Sequence, residues 1–415
     1  MSWFPSTFAQ ELSKRIRNSL AKASIATAAG AAAFSAHHGR ADQFEWRNAA
    51  DGFYFTSLNW NNITGTAIGP PGPSDNVLFN EPGSYETWFA NDETADAFDL
   101  TAGDVTLRSL GVDRNYSVDR MVIDAGMLTL GTPNDPLHMT STNIVTVSSG
   151  GQLSVVAGSK LVNEISGIGI GPGTTGRVVV DGAGSAIEAA RFITGCNACG
   201  PGGGELLVSN GGTMTTGLGP HGLHDILGGN GQLIVEDPGS HWLSSQIELQ
   251  STAQLLVRNQ GRITVGTGAV RGIGPQLMVQ DSNSVFRSLG DFEVGAAGMN
   301  GTLAARNGGV AQIEGVLRVS PTGNVDLPGG TLTADHLVLE GPLLLKQGDA
   351  IVNSFERVGG GAIDWQAGYF TLRGGDGAMN GSLTISGPAN EVSAFYVSEG
   401  GRLDVDAFVR LGWDP

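Results

Sequence analysis

Short apolar runs of about five residues follow one another along most of this chain, and glycine-rich corners separate them. Four ten-residue segments show the pattern: GRVVVDGAGS (176–185), GQLIVEDPGS (231–240), PQLMVQDSNS (275–284) and GSLTISGPAN (381–390). Each begins with Gly or Pro, places apolar residues at its third and fifth positions and closes on a small polar residue. Their starts lie 55, 44 and 106 residues apart, the last being about two periods. A shorter phrase recurs as well, in ELLVSNGGTM (205–214), SSGGQLSV (148–155), RNQGRITV (258–265), RNGGVAQI (306–313), LPGGTLTA (327–334) and SEGGRLDV (398–405). Alternation with period two predicts strands with one buried face. Asn-Gly and Gly-Gly supply the positive φ that a sharp corner needs.

Periods of 20–50 residues belong to solenoids, propellers or arrays. A propeller blade needs four hairpin-linked antiparallel strands, whereas here a glycine corner follows each short run. The pattern predicts an all-β chain, a parallel β-solenoid built from glycine-cornered repeats. Each coil pairs its backbone with the one before, and Leu233, Val235, Leu277 and Val279 point into a narrow core. The predicted organisation is a signal-peptide-like leader over 1–41, a β-rich start of the solenoid over 42–140, and the repetitive solenoid over 141–415. The 374 residues after the leader correspond to ~15–18 rungs of roughly 20–25 residues, a rod of ~75–85 Å. An uncapped end would be an open sheet edge, so end-to-end self-association is expected there.

The leader reads as basic, then apolar, then small. Lys14, Arg15, Arg17 and Lys22 precede ASIATAAGAAAFSA (23–36), and Ala36 and Ala41 offer cleavage points. The competing reading is an amphipathic surface helix. Removing the leader's five basic residues and one acidic residue turns 23 and 40 into 18 and 39, shifting the net charge from −17 to −21. No other segment approaches a membrane span of about 18 apolar residues. The acidic balance lacks the basic stripe of a nucleic-acid binder and disfavours anionic membranes. Glycine, at 64 residues, shows no three-residue period, which excludes collagen.

The unit resembles the repeat shared by type V autotransporter passenger domains and PEP-CTERM-associated exported bacterial proteins: strand, Gly-Ser corner, strand, Asn-Gly-Gly corner. GRVVVDGAGS with LLVSNGG (206–212) carries that resemblance. Asn59-Trp60 with PGPSDNVLF (71–79) is similar to the opening of such proteins, and GGGAIDWQAGYFTLRGG (359–375) to another of their rungs. The resemblance covers most of 45–412. It implies an exported surface or extracellular-matrix protein that presents a rod for adhesion or for association with extracellular polymers. The resemblance would lead to an autotransporter barrel or a PEP-CTERM anchor, whereas the sequence stops mid-motif at LGWDP (411–415), which leaves a released protein, a fragment truncated at the C-terminus, or a partner-held chain as the readings.

Candidate chemistry is sparse. Cys196 and Cys199 in GCNACG read as a local disulfide, as reduced thiols, as half of a zinc site with His221 and His224, or as a redox pair without its usual βαβ context. GGNGQLIVED (228–237) and GGDGAMNG (374–381) faintly resemble calcium-binding turns, but each occurs once rather than in tandem. GIGIGPG (167–173) lacks the following helix that a phosphate-binding loop requires. No nucleophile elbow or HExxH motif occurs, and the histidines share no local signature with Ser and Asp. Glu236-Asp237 and Asp281 occupy matching positions in neighbouring repeats, where coil stacking could bring them near one another, and Asp181 matches too; closing strands is the competing role. Arg177, Arg191, Arg258, Arg262, Arg271 and Arg287 are scattered, and Trp60, Trp88, Trp242 and Trp365 either pack internally or stack on sugars. The expected protein is non-enzymatic, without a catalytic set, cofactor or resident metal. The alternative is a polysaccharide-active β-helix lyase or glycosidase, marked by a groove of clustered carboxylates and basic residues.

Overall fold

In the computed structural model, a parallel β-solenoid begins at Gln43. The structure describes residues 41–47, 49–171, 173–195, 202–217 and 225–373. It also describes the backbone of strands Asp376–Met379, Leu383–Ile385, Ser393–Ser398, Arg402–Val405 and Val409–Leu411. All but Ala41 of the expected leader lies outside the described residues, and Asp42–Pro415 forms one compact unit.

Each rung contributes to three parallel sheets. Strand Leu137–Val147 supplies two of them, because a bulge between Ser141 and Ile144 turns the chain from one sheet to the next. Gly151–Val156 supplies the third. Registered neighbours show the stacking: Leu153, Val178, Leu206, Leu233, Leu255 and Leu277 occupy one inward column, and Met139, Leu161, Ile187, Met214, Trp242 and Ile263 another. The four core residues expected from the alternation, Leu233, Val235, Leu277 and Val279, are fully buried. Burying one Leu or Val is worth about 1.5–3 kcal/mol, and only the rungs on either side make that burial available.

The corners explain the recurring phrases. The unit apparent in the sequence spans two rungs, because two kinds of corner alternate through the middle of the chain. The longer corner, as in Asp237–Ser240, ends on an inward serine. Ser240 Oγ accepts from the Gly211 backbone N–H of the preceding rung at 3.0 Å, and Ser284 Oγ accepts from Gln260 N–H at 2.9 Å. The shorter corner, Asn210-Gly211-Gly212, takes Asn210 and Gly211 through φ 51° and 86°. Asparagine tolerates this left-handed geometry and glycine suffers no Cβ penalty there. Gly212 is required for a different reason: a Cβ would lie 2.4 Å from the Val180 carbonyl oxygen. Serine above and glycine below therefore interlock.

The N-terminal end of the described solenoid carries a fold-back strand. Trp60–Asn62 folds back antiparallel on Gln43–Trp46, which in turn pairs in parallel with Asn76–Phe79. Beneath lies an aromatic cluster in which Trp46 meets Trp60 edge-on at 4.9 Å and Tyr54 stacks on Phe89 at 5.0 Å. The Asp75 carboxylate ties the motif 71–79 together by accepting from the Gly72 and Asp42 backbone N–H groups. Among the described residues this three-residue strand pairs on one side only and is the outermost strand of its sheet. Among the described residues, no helix is long and apolar enough to cross a membrane.

Candidate functional site

Outward side chains stand one rung apart, at about 4.8 Å, so opposite charges meet their neighbours directly. Arg258 Nε contacts Glu236 at 2.5 Å, Arg177 contacts Glu205 at 3.2 Å, and Arg271 bridges Glu248 at 2.9 Å and Glu293 at 3.5 Å. Arg287 donates to Glu314 at 2.7 Å, and Arg318 to Glu340 at 2.7 Å. The arginines that look scattered in sequence are mostly members of short inter-rung ladders on different faces. Each exposed pair contributes only about 0–1 kcal/mol. Their main effect is to leave few cations free for an anionic ligand.

The candidate carboxylates do not form an acid–base pair. Glu236 faces Arg258. Asp237 and Asp281 are corner residues at φ 74° and 72°. A whole rung, carrying Asn259 and Gln260, separates them. Asp181 accepts from Ser209 Oγ and Asn210 Nδ2, both at 2.7 Å. The histidines among the described residues are equally dispersed: His138 lies 3.8 Å from Asp113, His241 Nε2 pairs with Thr264 Oγ1, and His336 Nδ1 pairs with Ser354 Oγ. Burial, then the nearby Arg262, lowers the His241 pKa. Cys196, Cys199, His221 and His224 lie outside the described residues, as do the side chains of 374–381. In 228–237, Gly229 turns a corner at φ 57° and Asn230 Oδ1 accepts from Thr252 Oγ1. In 167–173, Gly169 turns a corner, and strand Thr175–Asp181 follows rather than a helix.

Three of the four tryptophans considered as sugar platforms are core residues. Trp60, Trp242 and Trp365 are buried. Trp88 is half-buried, with the Arg108 guanidinium 5.5 Å over its ring and Phe53 edge-on at 5.1 Å. An inward indole fills a wide section of a core that Leu and Val line elsewhere, so these residues serve packing.

One buried carboxylate escaped the sequence reading. Asp225 is fully buried and sits in an inward column between Phe192 and Ile247, where other rungs place Met121, Val145 or Leu317. Its Oδ1 accepts from Phe192 N–H at 2.7 Å, and its Oδ2 from Ser244 Oγ at 2.6 Å and from Thr216 Oγ1. Trp242 Nε1 in turn donates to Thr216 Oγ1 at 3.0 Å. Burial pushes the Asp225 carboxyl up to about 6, against the opposing pull of Ser244, Thr216, the Phe192 amide and Arg191. Burial likewise lowers Arg191. This network is closed around its own partners and belongs to the core.

One concave feature is an open trough of about 460 Å³ crossing four rungs. Its side-chain floor is the outward column Gln152, Arg177, Glu205 and Gln232, with Thr175 and Asn230 at its margin. Much of the remainder is glycine, including Gly151, Gly176 and Gly204. Added Cβ atoms at those positions would strike Ile123 O, Val147 O and the Ile168 side chain, so close stacking keeps this corner bare. The polar column continues as Gln254 and Gln276. The sequence signal was the residue before the first inward apolar position of each strand, which is polar in rung after rung.

No protein-family description and no curated protein matches the chain. Among solved structures, it is similar to the crystal structure of a TibC-catalysed, hyper-glycosylated TibA fragment comprising residues 55–350 of that protein, at 16% identity and a TM-score of 0.45, over 80% of this chain and 100% of that one.

Proposed function

We propose that this chain is a non-enzymatic, autotransporter-passenger-like solenoid, exported to the cell surface or extracellular matrix, where it associates with extracellular polymers. The observation that carries the reading is the arrangement of outward charge. A lyase or glycosidase of this architecture needs carboxylates a few ångströms apart, free to exchange protons over a groove. Here Glu205, Glu236, Glu248 and Glu314 each contact an arginine one rung away, while Asp181 serves a corner. The trough holds one carboxylate, Glu205, already engaged by Arg177. The basic-then-apolar leader supports export, and the acidic balance fits a protein that stays in solution between contacts.

Protease treatment of intact cells producing the full chain tests this reading, with lysed cells and culture medium alongside. Digestion on intact cells, or recovery of the chain in the medium, is the expected outcome. Protection until lysis refutes display at the surface or release, and leaves a periplasmic location or a misread leader. Incubation with polysaccharides should leave their chain length unchanged; release of reducing ends or unsaturated products by the wild type, lost on Glu205→Gln, would establish the enzyme alternative.

A further inference from the structure

We propose that the trough over Gln152, Arg177, Glu205 and Gln232 binds a neutral oligosaccharide segment. This rests on the polymer-association reading above and gives it a site and a ligand class.

The shape comes first. Three inter-rung steps make the trough about 14 Å long, and its walls are polypeptide backbone where glycines stand. It is a surface for an extended, flat ligand rather than a pocket for a compact one.

Its chemistry then narrows the class. Every side chain lining it is polar: planar amides, hydroxyls and one ion pair. An apolar ligand or peptide side chain would find no apolar side chain there, only glycine backbone and the carbons of polar side chains. The trough's strands are paired on both sides, so no free edge invites an added strand. Charge excludes polyanions, because Glu205 faces the trough's one cation, Arg177, at 3.2 Å and the whole chain carries −17. Polycations would meet the same neutral pair.

The donors and acceptors left over suit hydroxyl groups. Among the described residues, Thr175 and Gln232 find no side-chain hydrogen-bond partner, nor do Gln254 and Gln276 beyond them. The Glu205 carboxylate and Arg177 guanidinium present further acceptors and donors side by side. Amide, carboxylate and guanidinium planes repeated at rung spacing can each engage vicinal hydroxyls by paired hydrogen bonds. A neutral polysaccharide presents such hydroxyls at intervals along an extended chain.

The test uses the full chain in affinity electrophoresis through gels containing dextran, xylan or hydroxyethyl cellulose, with alginate as the polyanion. Retardation by at least one neutral polymer is expected. Gln232→Ala should weaken it at least fivefold, and Thr175→Trp, which fills the trough from an exposed position, should abolish it. Gln312→Ala, whose amide is bonded to Glu314 on another face, should leave it unchanged. Equal retardation of all variants would overturn the trough assignment while leaving polymer association standing. No retardation by any polymer would overturn both. Retardation by alginate alone, sensitive to Thr175→Trp, would keep the site and overturn its neutral ligand class.

Discussion

Replacing Asp225 by asparagine should remove a specific pH dependence from the stability of the central rungs. The carboxyl lies in a core column between Phe192 and Ile247, and burial lifts it from 3.8 to about 6. Below about pH 4 it is protonated in both folded and unfolded chains, so it imposes no pH dependence. Between about pH 4 and 6 the unfolded chain ionises while the folded chain keeps its proton. Stability therefore falls as pH rises through that window, then stays level above it. The shift amounts to about 3 kcal/mol at 1.36 kcal/mol for each tenfold change. The asparagine side chain would keep an acceptor for Phe192 N–H and offer its amide to the Thr216 and Ser244 hydroxyls, which can rotate to accept. Solenoids open by neighbouring rungs rather than all at once, so the assay is local. Hydrogen exchange would be followed by mass spectrometry in peptides covering 186–194 and 241–249 from pH 4 to 8, corrected for intrinsic exchange. The wild type should lose protection between pH 4 and 6, and Asp225→Asn should hold it level. A wild-type profile without that loss, or a variant that keeps it, refutes the assignment.

Ser240→Ala leaves the Gly211 N–H without its 3.0 Å acceptor and should destabilise the adjoining rungs by about 1–3 kcal/mol, read as a lower urea midpoint for local protection. Gly212→Ala drives a Cβ toward the Val180 carbonyl and should cost about 1–3 kcal/mol as overpacking; an unchanged midpoint would refute the interlocking of the two corners. A double-mutant cycle on Glu236 and Arg258, both partly exposed, should return a coupling of about 0–1 kcal/mol that shrinks with added salt.

Sequence alternation was enough to identify the inward residues Leu233, Val235, Leu277 and Val279 and the corners between strands, because a period of two survives wherever one strand face is buried. Register was harder. The Gly-Ser and Asn-Gly-Gly corners look like two parts of one repeat, yet each belongs to its own rung. Asp237 and Asp281 consequently read as neighbours in the sequence, while Asn259 and Gln260 stand between them. Asp225 was invisible for a related reason. An aspartate before Ile-Leu reads as a turn residue, and only pairing with Phe192 and Ile247 turns it inward. Tryptophan is ambiguous in sequence because the same indole suits a sugar platform or a wide core, and burial of Trp242 and Trp365 decides for the core. The trough is floored by strand residues such as Gln152, Arg177 and Glu205, which read in the sequence only as the polar step before an inward apolar residue.

The antiparallel fold-back at Trp60–Asn62 has a kinetic consequence. An array of rungs can nucleate anywhere and spread to its neighbours, but among the described residues this end rung has a neighbouring rung on one side only, so its own aromatic cluster must supply the burial that a second neighbour gives elsewhere. Loss of Trp46 or Tyr54 should therefore speed opening of this end while the central rungs keep their protection.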